Sequence, residues 1–322
     1  MLLGWSGIMK GFHLKDKKFA FFQRFIQRKN LNTCEIIMGA MFQKQKYKVG
    51  NGQSDDREEN LEKYFRPSCF PVLNKRFNYQ FFDSFIDKQY YQIVLPPSLM
   101  NSPENTIINY FSVLREAENL TKYKKGGCGS VGLSKIPYPI AYNFFTSQYQ
   151  KRVSYKSYFR SFEGIGHINL IKLAPLHRDK KYPKASRYFF EIETIEGSAK
   201  GITYFAYYYG YIYIEKEGKS YKIADIDLYG EDFLCAAYHL WQHNAEAVVD
   251  IMFGNWCELV KERLPTKQED YTKQIDVIGT DGNKYRFVFF QLTNDTDILA
   301  AQYKKDTKGQ WEFIEIDPEK CL

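Results

Sequence analysis

The residues best suited to metal chemistry lie in one segment of the second half of the chain. They recur at intervals of three or four residues: Cys235, His239, His243, Glu246 and Asp250. On a helix this spacing places them along adjacent parts of one face, and two imidazoles one turn apart can share a zinc ion. The sequence therefore predicts a candidate metal site at His239, His243 and Glu246. The alternative is a helix whose polar edge carries histidines without a ligand.

Candidates for acid–base chemistry lie on predicted strands. Asp225 and Asp227 fall in one strand, and His167 falls in another. A buried carboxylate or imidazole beside phenols could act as a general base. Glu191 and Glu193 alternate with apolar residues, so we predict that both face solvent. No position matches a known catalytic motif, so the sequence assigns no catalytic residue and predicts no cofactor.

A third candidate is a strand crowded with phenols, YFAYYYGYIYI, which begins at Tyr204. Strand alternation places four of its tyrosines on one face: Tyr207, Tyr209, Tyr211 and Tyr213. The other face carries Ala206, Ile212 and Ile214, and we predict that helices cover it. The four tyrosines are then the candidate ligand- or partner-binding residues, on a face that meets another domain or a partner. Gly210 is predicted to be a bend or bulge.

The elements that position these residues are predicted to be helices, followed along the chain by a meander of strands. The clearest helix begins after Ser102, a capping residue, with Pro103 at its first position. Beyond Gly166 the pattern alternates and predicts four strands: His167–Leu173, Arg187–Glu196, Ile202–Lys216 and Ser220–Leu228. Two of these strands change face midway, which predicts β-bulges.

The same plan recurs in the second part of the chain. A long helical stretch, which Gly254 could interrupt, is predicted from Asp232 to Arg263. Four strands follow it: Lys273–Gly279, Lys284–Leu292, Ile298–Tyr303 and Trp311–Ile316. The predicted fold class is α+β, with helices packed on a bent, cone-like antiparallel meander and a second, smaller helix-plus-meander unit. The predicted boundaries are a partly disordered basic arm and linker (1–60), the cone-like domain (61–232) and the second unit (233–322).

The stretch from Ser102 to Leu228 resembles the nuclear-transport-factor-2-like, or cystatin-like, cone fold. The capped helix, the helix pair YNFFTSQYQKR and SYKSYF, the bulged meander and the closing strand EGKSYKIADID carry the resemblance. In that superfamily, helices pack into the concavity of a bent sheet. Its members serve as isomerases, dehydratases, protein-binding subunits and modules of bacterial envelope proteins. The resemblance therefore implies a fold without choosing among these functions.

The positive charge of the chain is confined to its N-terminal arm. The whole chain carries a net charge of +7, but residues 1–50 hold ten basic and two acidic side chains, so the remainder is close to neutral. This distribution argues against a nucleic-acid partner. The arm interleaves basic residues with phenylalanine, which allows peripheral contact with an anionic membrane.

The favoured function is non-enzymatic binding of an apolar or aromatic ligand, or of a protein partner. One alternative is a cofactor-free isomerase or dehydratase that uses a pocket Asp or His. Another is a metal-binding protein centred on His239 and His243. The resemblance implies a protein of the bacterial cell envelope or a secreted protein; a genuine N-terminus would instead favour the cytoplasm.

Overall fold

The computed structural model describes residues 66–126, 134–233 and 240–322. The predicted basic arm and linker (1–60) lie outside these ranges, as do Cys235 and His239. Within the described ranges, the chain forms helices and two antiparallel sheets, so the fold class is α+β.

Short helices, several of them begun by a side-chain cap, occupy the first part of the described chain. They are α1 (Tyr79–Asp83), α2 (Pro103–Leu114), α3 (Pro137–Tyr142), α4 (Ser147–Arg152) and α5 (Tyr155–Ser161), with 3-10 turns at Tyr90–Gln92 and Pro97–Met100. The start of α2 is as predicted, because Ser102 accepts a hydrogen bond from the backbone N–H of Asn105.

Four antiparallel strands form the first sheet in sequence order: β1 (Ile165–Leu176), β2 (Ser186–Gly197), β3 (Thr203–Glu217) and β4 (Ser220–Gly230). The register shifts between Leu170 and Lys172 in β1, as the change of face predicts. A second shift leaves Ala224 of β4 without a partner residue on β3. Both predicted bulges are therefore confirmed.

Gly210 has a different role from the predicted one. The pairing of β3 with its two neighbours is continuous at this residue, so it is not a bulge. A Cβ atom at Gly210 would lie 1.9 Å from the carbonyl oxygen of Asp227. Glycine is needed here because the β4 backbone approaches β3 too closely for a side chain.

The helices pack on the aliphatic face of the first sheet. Ile212 and Ile214 of β3 join the same buried core as Ile107 and Phe111 of α2, as predicted. Aromatic rings fill the space between helices and sheet, and those at most 2% exposed include Tyr138, Tyr142, Phe144 and Phe145. The tyrosine-rich face of β3 therefore points away from the helices.

The prediction of one long helix from Asp232 to Arg263 is wrong. A 3-10 turn at Trp241–His243 ends at Asn244, whose side chain caps a new short helix, α6 (Ala245–Val248). A π-helical segment follows at Val249–Trp256, and the chain is extended from Val260. Asn244 breaks the run because its side chain competes for backbone N–H groups and favours a helix start.

The second sheet contains the four predicted strands and two short ones that were not predicted. The strands are β5 (Val260–Arg263), β6 (Lys267–Glu269), β7 (Thr272–Gly279), β8 (Lys284–Gln291), β9 (Asp297–Lys305) and β10 (Trp311–Ile314). They pair in the order β10-β9-β8-β7-β5, and β6 also pairs with β7. A disulfide between Cys257 and Cys321 ties the C-terminal 3-10 turn to the end of the π-helical segment. None of the helices in the described ranges is long and apolar enough to span a membrane.

Candidate functional site

The face of the first sheet that points away from the helices carries the tyrosines together with buried charges. Cross-strand pairing places Glu193 beside Tyr207, and Glu191 beside Tyr209. Glu191 also pairs with Lys172 of β1. The prediction that Glu191 and Glu193 face solvent is wrong, because both are fully buried.

The second sheet covers part of this face. Phe189 packs with Phe290 and Leu292, and Tyr209 and Tyr211 lie against this small core. Tyr213 is instead covered by Tyr182 from the β1–β2 loop, with ring centroids 4.3 Å apart. The tyrosine face thus meets another part of the same chain. Whether these tyrosines also bind a ligand or partner stays a prediction.

A buried ion cluster lies where the first unit (α1–α5 with the first sheet) meets the second unit (α6, the π-helical segment and the second sheet). The Lys172 ammonium is 2.7 Å from Glu191 Oε2 and donates to the carbonyl oxygen of Gln291 at 2.7 Å. The other carboxylate oxygen of Glu191 accepts from the backbone N–H of Thr293 at 3.1 Å and from its hydroxyl. Both charged side chains have no exposed surface. The β8–β9 loop is thus held by charge-assisted hydrogen bonds from the first unit.

Glu231, which directly follows β4, extends this cluster. Its carboxylate accepts from the backbone N–H of Asn294 at 3.2 Å. Burial and the neighbouring Glu191 raise the pKa of Glu231 to about 9, so it carries a proton at neutral pH. A protonated Glu231 therefore lies beside the ion pair of Lys172 and Glu191, beneath the β8–β9 loop.

Replacing Glu231 with glutamine is expected to stabilise the protein at pH 8 by roughly 1–3 kcal/mol. The native state keeps this proton up to about pH 9, whereas the unfolded chain releases it near the ordinary glutamate pKa. The wild type therefore loses stability as pH rises between these values, and glutamine removes that loss while keeping a hydrogen-bonding side chain. Urea unfolding from pH 4 to pH 9 measures the difference.

Glu262→Gln is the matched control, since Glu262 is exposed on β5. We expect its unfolding free energy to follow the wild type at every pH. Parallel pH profiles for Glu231→Gln and wild type would contradict the raised pKa of Glu231.

A second polar cluster surrounds Glu193. Its carboxylate is 2.8 Å from Arg66 Nη1, and it accepts from Asn169 Nδ2 at 3.1 Å and from the Tyr207 hydroxyl at 2.9 Å. His167 lies 2.9 Å from the Asn169 side-chain oxygen, and burial lowers its pKa. The hydrogen-bonding capacity of Glu193 is therefore taken up by the chain itself, which makes this cluster a structural one.

The described residues form at least two clefts that open to the outside. The first, here called the inter-unit cleft, has a volume of about 290 Å³. Its lining includes Pro175, Leu176, His177, Phe290, Ala300 and Tyr303. His177 stacks on Phe313 with ring centroids 3.8 Å apart and lies 3.2 Å from the Tyr303 hydroxyl. The cleft is thus mainly apolar, with aromatic rings from both units at its rim.

The second cleft, here called the polar cleft, has a volume of about 320 Å³. Its lining includes Gln148 and Arg152 of α4, Lys181, Tyr182 and Lys184 of the β1–β2 loop, and Glu215 of β3. Asp225 follows the lining residue Ala224 on β4. Its Oδ1 is 2.8 Å from Arg152 Nη2, and its Oδ2 accepts from the Tyr182 hydroxyl. Both oxygens of this candidate base are therefore engaged within the chain.

The structure describes two of the three predicted metal ligands, His243 and Glu246, and these two do not lie on one continuous helix. His239 lies outside the described residues. His243 belongs to the 3-10 turn, whereas Glu246 lies in the first turn of α6. In the described ranges, no group of three or more His, Cys, Asp or Glu side chains could hold a metal ion.

Sequence reasoning missed the ion cluster at Lys172, Glu191 and Glu231. One signal was available: pairing β2 with β3 puts Glu191 and Glu193 on the tyrosine face, which was itself predicted to meet another domain. The alternation of polar and apolar residues along a strand predicts that a carboxylate is exposed, because charged residues are rarely buried without a partner.

Comparison with known proteins gives no match to a family model, to a curated protein or to a solved structure. The resemblance to the cone fold therefore rests on the sequence patterns alone. Function must be argued from the site.

Proposed function

We propose that this chain is a non-enzymatic binding protein that receives an apolar or aromatic group in the inter-unit cleft. The observation that supports this most directly is the lining of that cleft, where alkyl and aromatic side chains of both units converge. Small-molecule sites are usually concave and lined mainly by apolar side chains with a few polar groups. They occur often at domain junctions. His177 and Tyr303 are the polar groups that would orient the bound molecule.

Binding is favoured over catalysis by the state of the ionisable groups. Glu191 and Glu193 are fully buried and hydrogen-bonded within the chain. Asp225 has both oxygens engaged by Arg152, Tyr182 and the N–H of Ile226. A general base needs a free acceptor within hydrogen-bond reach of the substrate, and none of these three carboxylates offers one in this arrangement.

We further propose that the first unit is cone-like and that the protein works outside the cytoplasm. The register shifts in the pairing of β1 and β4 support the first point, since bulges bend a sheet. The Cys257–Cys321 disulfide supports the second, because disulfides persist mainly in oxidising compartments. An envelope or secreted location agrees with both the resemblance and this disulfide.

The binding proposal predicts that a large side chain placed in the cleft weakens ligand binding. With the neutral fluorescent probe N-phenyl-1-naphthylamine, we expect saturable binding to the wild type and at least tenfold weaker binding to Ala300→Phe. The new ring would occupy part of the cleft, because Ala300 belongs to its lining. Fluorescence titration measures the affinity, and thermal unfolding checks that the variant is folded.

Ala199→Phe is the matched control, because it adds the same ring to an exposed turn between β2 and β3. It should bind the probe as the wild type does. Lack of saturable binding to the wild type, or equal binding to Ala300→Phe, would overturn the proposal.

A further inference from the structure

The polar cleft concentrates positive charge on a body that is otherwise close to neutral. Three cations line it, Arg152, Lys181 and Lys184. The opposing carboxylates are that of Glu215 in the lining and that of Asp225, which pairs with Arg152. Beyond the N-terminal arm, the chain carries nearly equal numbers of basic and acidic residues. Lining of this kind favours a negatively charged ligand, because clefts focus the field of the charges around them.

Several hydrogen-bond donors in this cleft are uncommitted. Arg152 uses Nη2 to contact Asp225, while its Nε and Nη1 have no hydrogen-bond partner among the residues that the structure describes. In the same described ranges, the Lys184 ammonium and the Gln148 side-chain amide have none either. A guanidinium and an ammonium that line one cleft can together bind the two oxygens of a carboxylate.

The walls of the cleft are held in place before any ligand arrives. Asp225 joins them, because it pairs with Arg152 on α4 and accepts from Tyr182 on the opposite loop. The Tyr182 ring packs on Tyr213, and the N–H of Thr146 at the start of α4 donates to Ile223 of β4 at 2.9 Å. Such pre-organisation lowers the ordering cost of binding.

Glu215 limits the kind of anion that fits. Its carboxylate would repel the doubly charged phosphate group, but it can accept hydrogen bonds from hydroxyl groups. Pro183 and the Tyr182 ring add apolar surface of the sort that packs against a sugar ring. The volume of about 320 Å³ is at the lower end of the range for small-molecule sites.

We propose that the polar cleft binds a hydroxylated carboxylate of monosaccharide size, such as a uronic acid. Arg152 and Lys184 hold the carboxylate, while Gln148 and Glu215 bond the hydroxyl groups. This site is separate from the inter-unit cleft and does not depend on the function proposed for it.

Isothermal titration calorimetry of the full chain with D-galacturonate, D-galactose and inorganic phosphate tests this proposal. We expect saturable binding of galacturonate, and at least tenfold weaker binding of galactose, which lacks the carboxylate, and of phosphate. No binding of galacturonate, or equal binding of galactose, would overturn the proposal. Tighter binding of phosphate would also overturn it, because Glu215 would then not select the ligand.

Lys184→Gln removes one exposed cation that has no partner in the described ranges, so it should not disturb folding. We expect it to weaken galacturonate binding about tenfold with an unchanged thermal midpoint. Lys156→Gln, at an exposed position on α5 outside the cleft, is the matched control and should bind as the wild type does. Equal affinities for the two variants would contradict the role of Lys184.

Discussion

Replacing Lys172 with methionine is expected to lower the free energy of unfolding by roughly 3–5 kcal/mol. The substitution leaves Glu191 without its cation, although that carboxylate has no exposed surface. It also removes the hydrogen bond to the Gln291 carbonyl, which joins the two units. Methionine keeps most of the side-chain volume against Phe70, whose ring lies 4.4 Å from the ammonium. Urea unfolding at pH 7 measures the loss.

Neutralising both partners distinguishes the effect of the uncompensated Glu191 charge from that of a packing defect. The Lys172→Met/Glu191→Gln variant leaves no buried charge in this pair, so it should be more stable than Lys172→Met alone. The introduced amide keeps an oxygen that can accept a hydrogen bond from Thr293. A double variant that is less stable than either single variant, or a loss below about 1 kcal/mol for Lys172→Met, would contradict this account.

The second large effect concerns the disulfide. Replacing both Cys257 and Cys321 with serine should cost up to about 4 kcal/mol, because the cross-link closes a long loop in the unfolded chain. The two residues are 64 positions apart, and the loop between them contains the whole second sheet. Denaturation under non-reducing conditions measures the loss.

Reductant supplies the control for this prediction. It should lower the stability of the wild type more than that of the double serine variant, since other cysteines of the chain respond equally in both. Alkylation before and after reduction, read by intact mass, should show Cys257 and Cys321 protected only in the oxidised wild type. Equal stability of the two proteins without reductant would refute the contribution of this bond.

The strands were predictable because their signals are local. Alternation in β1 to β4 and in β7 to β10 identified eight strands, and the changes of face in β1 and β4 identified the bulges. The cap at Ser102 located the start of α2. In each case, neighbouring residues along the chain carry the information, through strand geometry or through backbone N–H groups at a helix start.

The long helix was mispredicted because the prediction rested on residues at helical spacing. It did not include the helix-start signal that lies in the middle of that segment. Asn244 is a strong helix-starting residue, and it begins α6 in the middle of the predicted helix. The metal site predicted at His239, His243 and Glu246 depended on that continuity. A single break in the helix therefore removes the argument from spacing for that site.

The sequence by itself determined the α+β class, the order of the main strands, and the division of β3 into an aliphatic face and a tyrosine face. The tertiary structure decided what lies against the second face. Glu191 is buried because the β8–β9 loop, about one hundred residues later, supplies its hydrogen-bond donors. The two clefts likewise form between segments far apart in sequence. Such contacts depend on the packing of whole elements, and no local pattern records them.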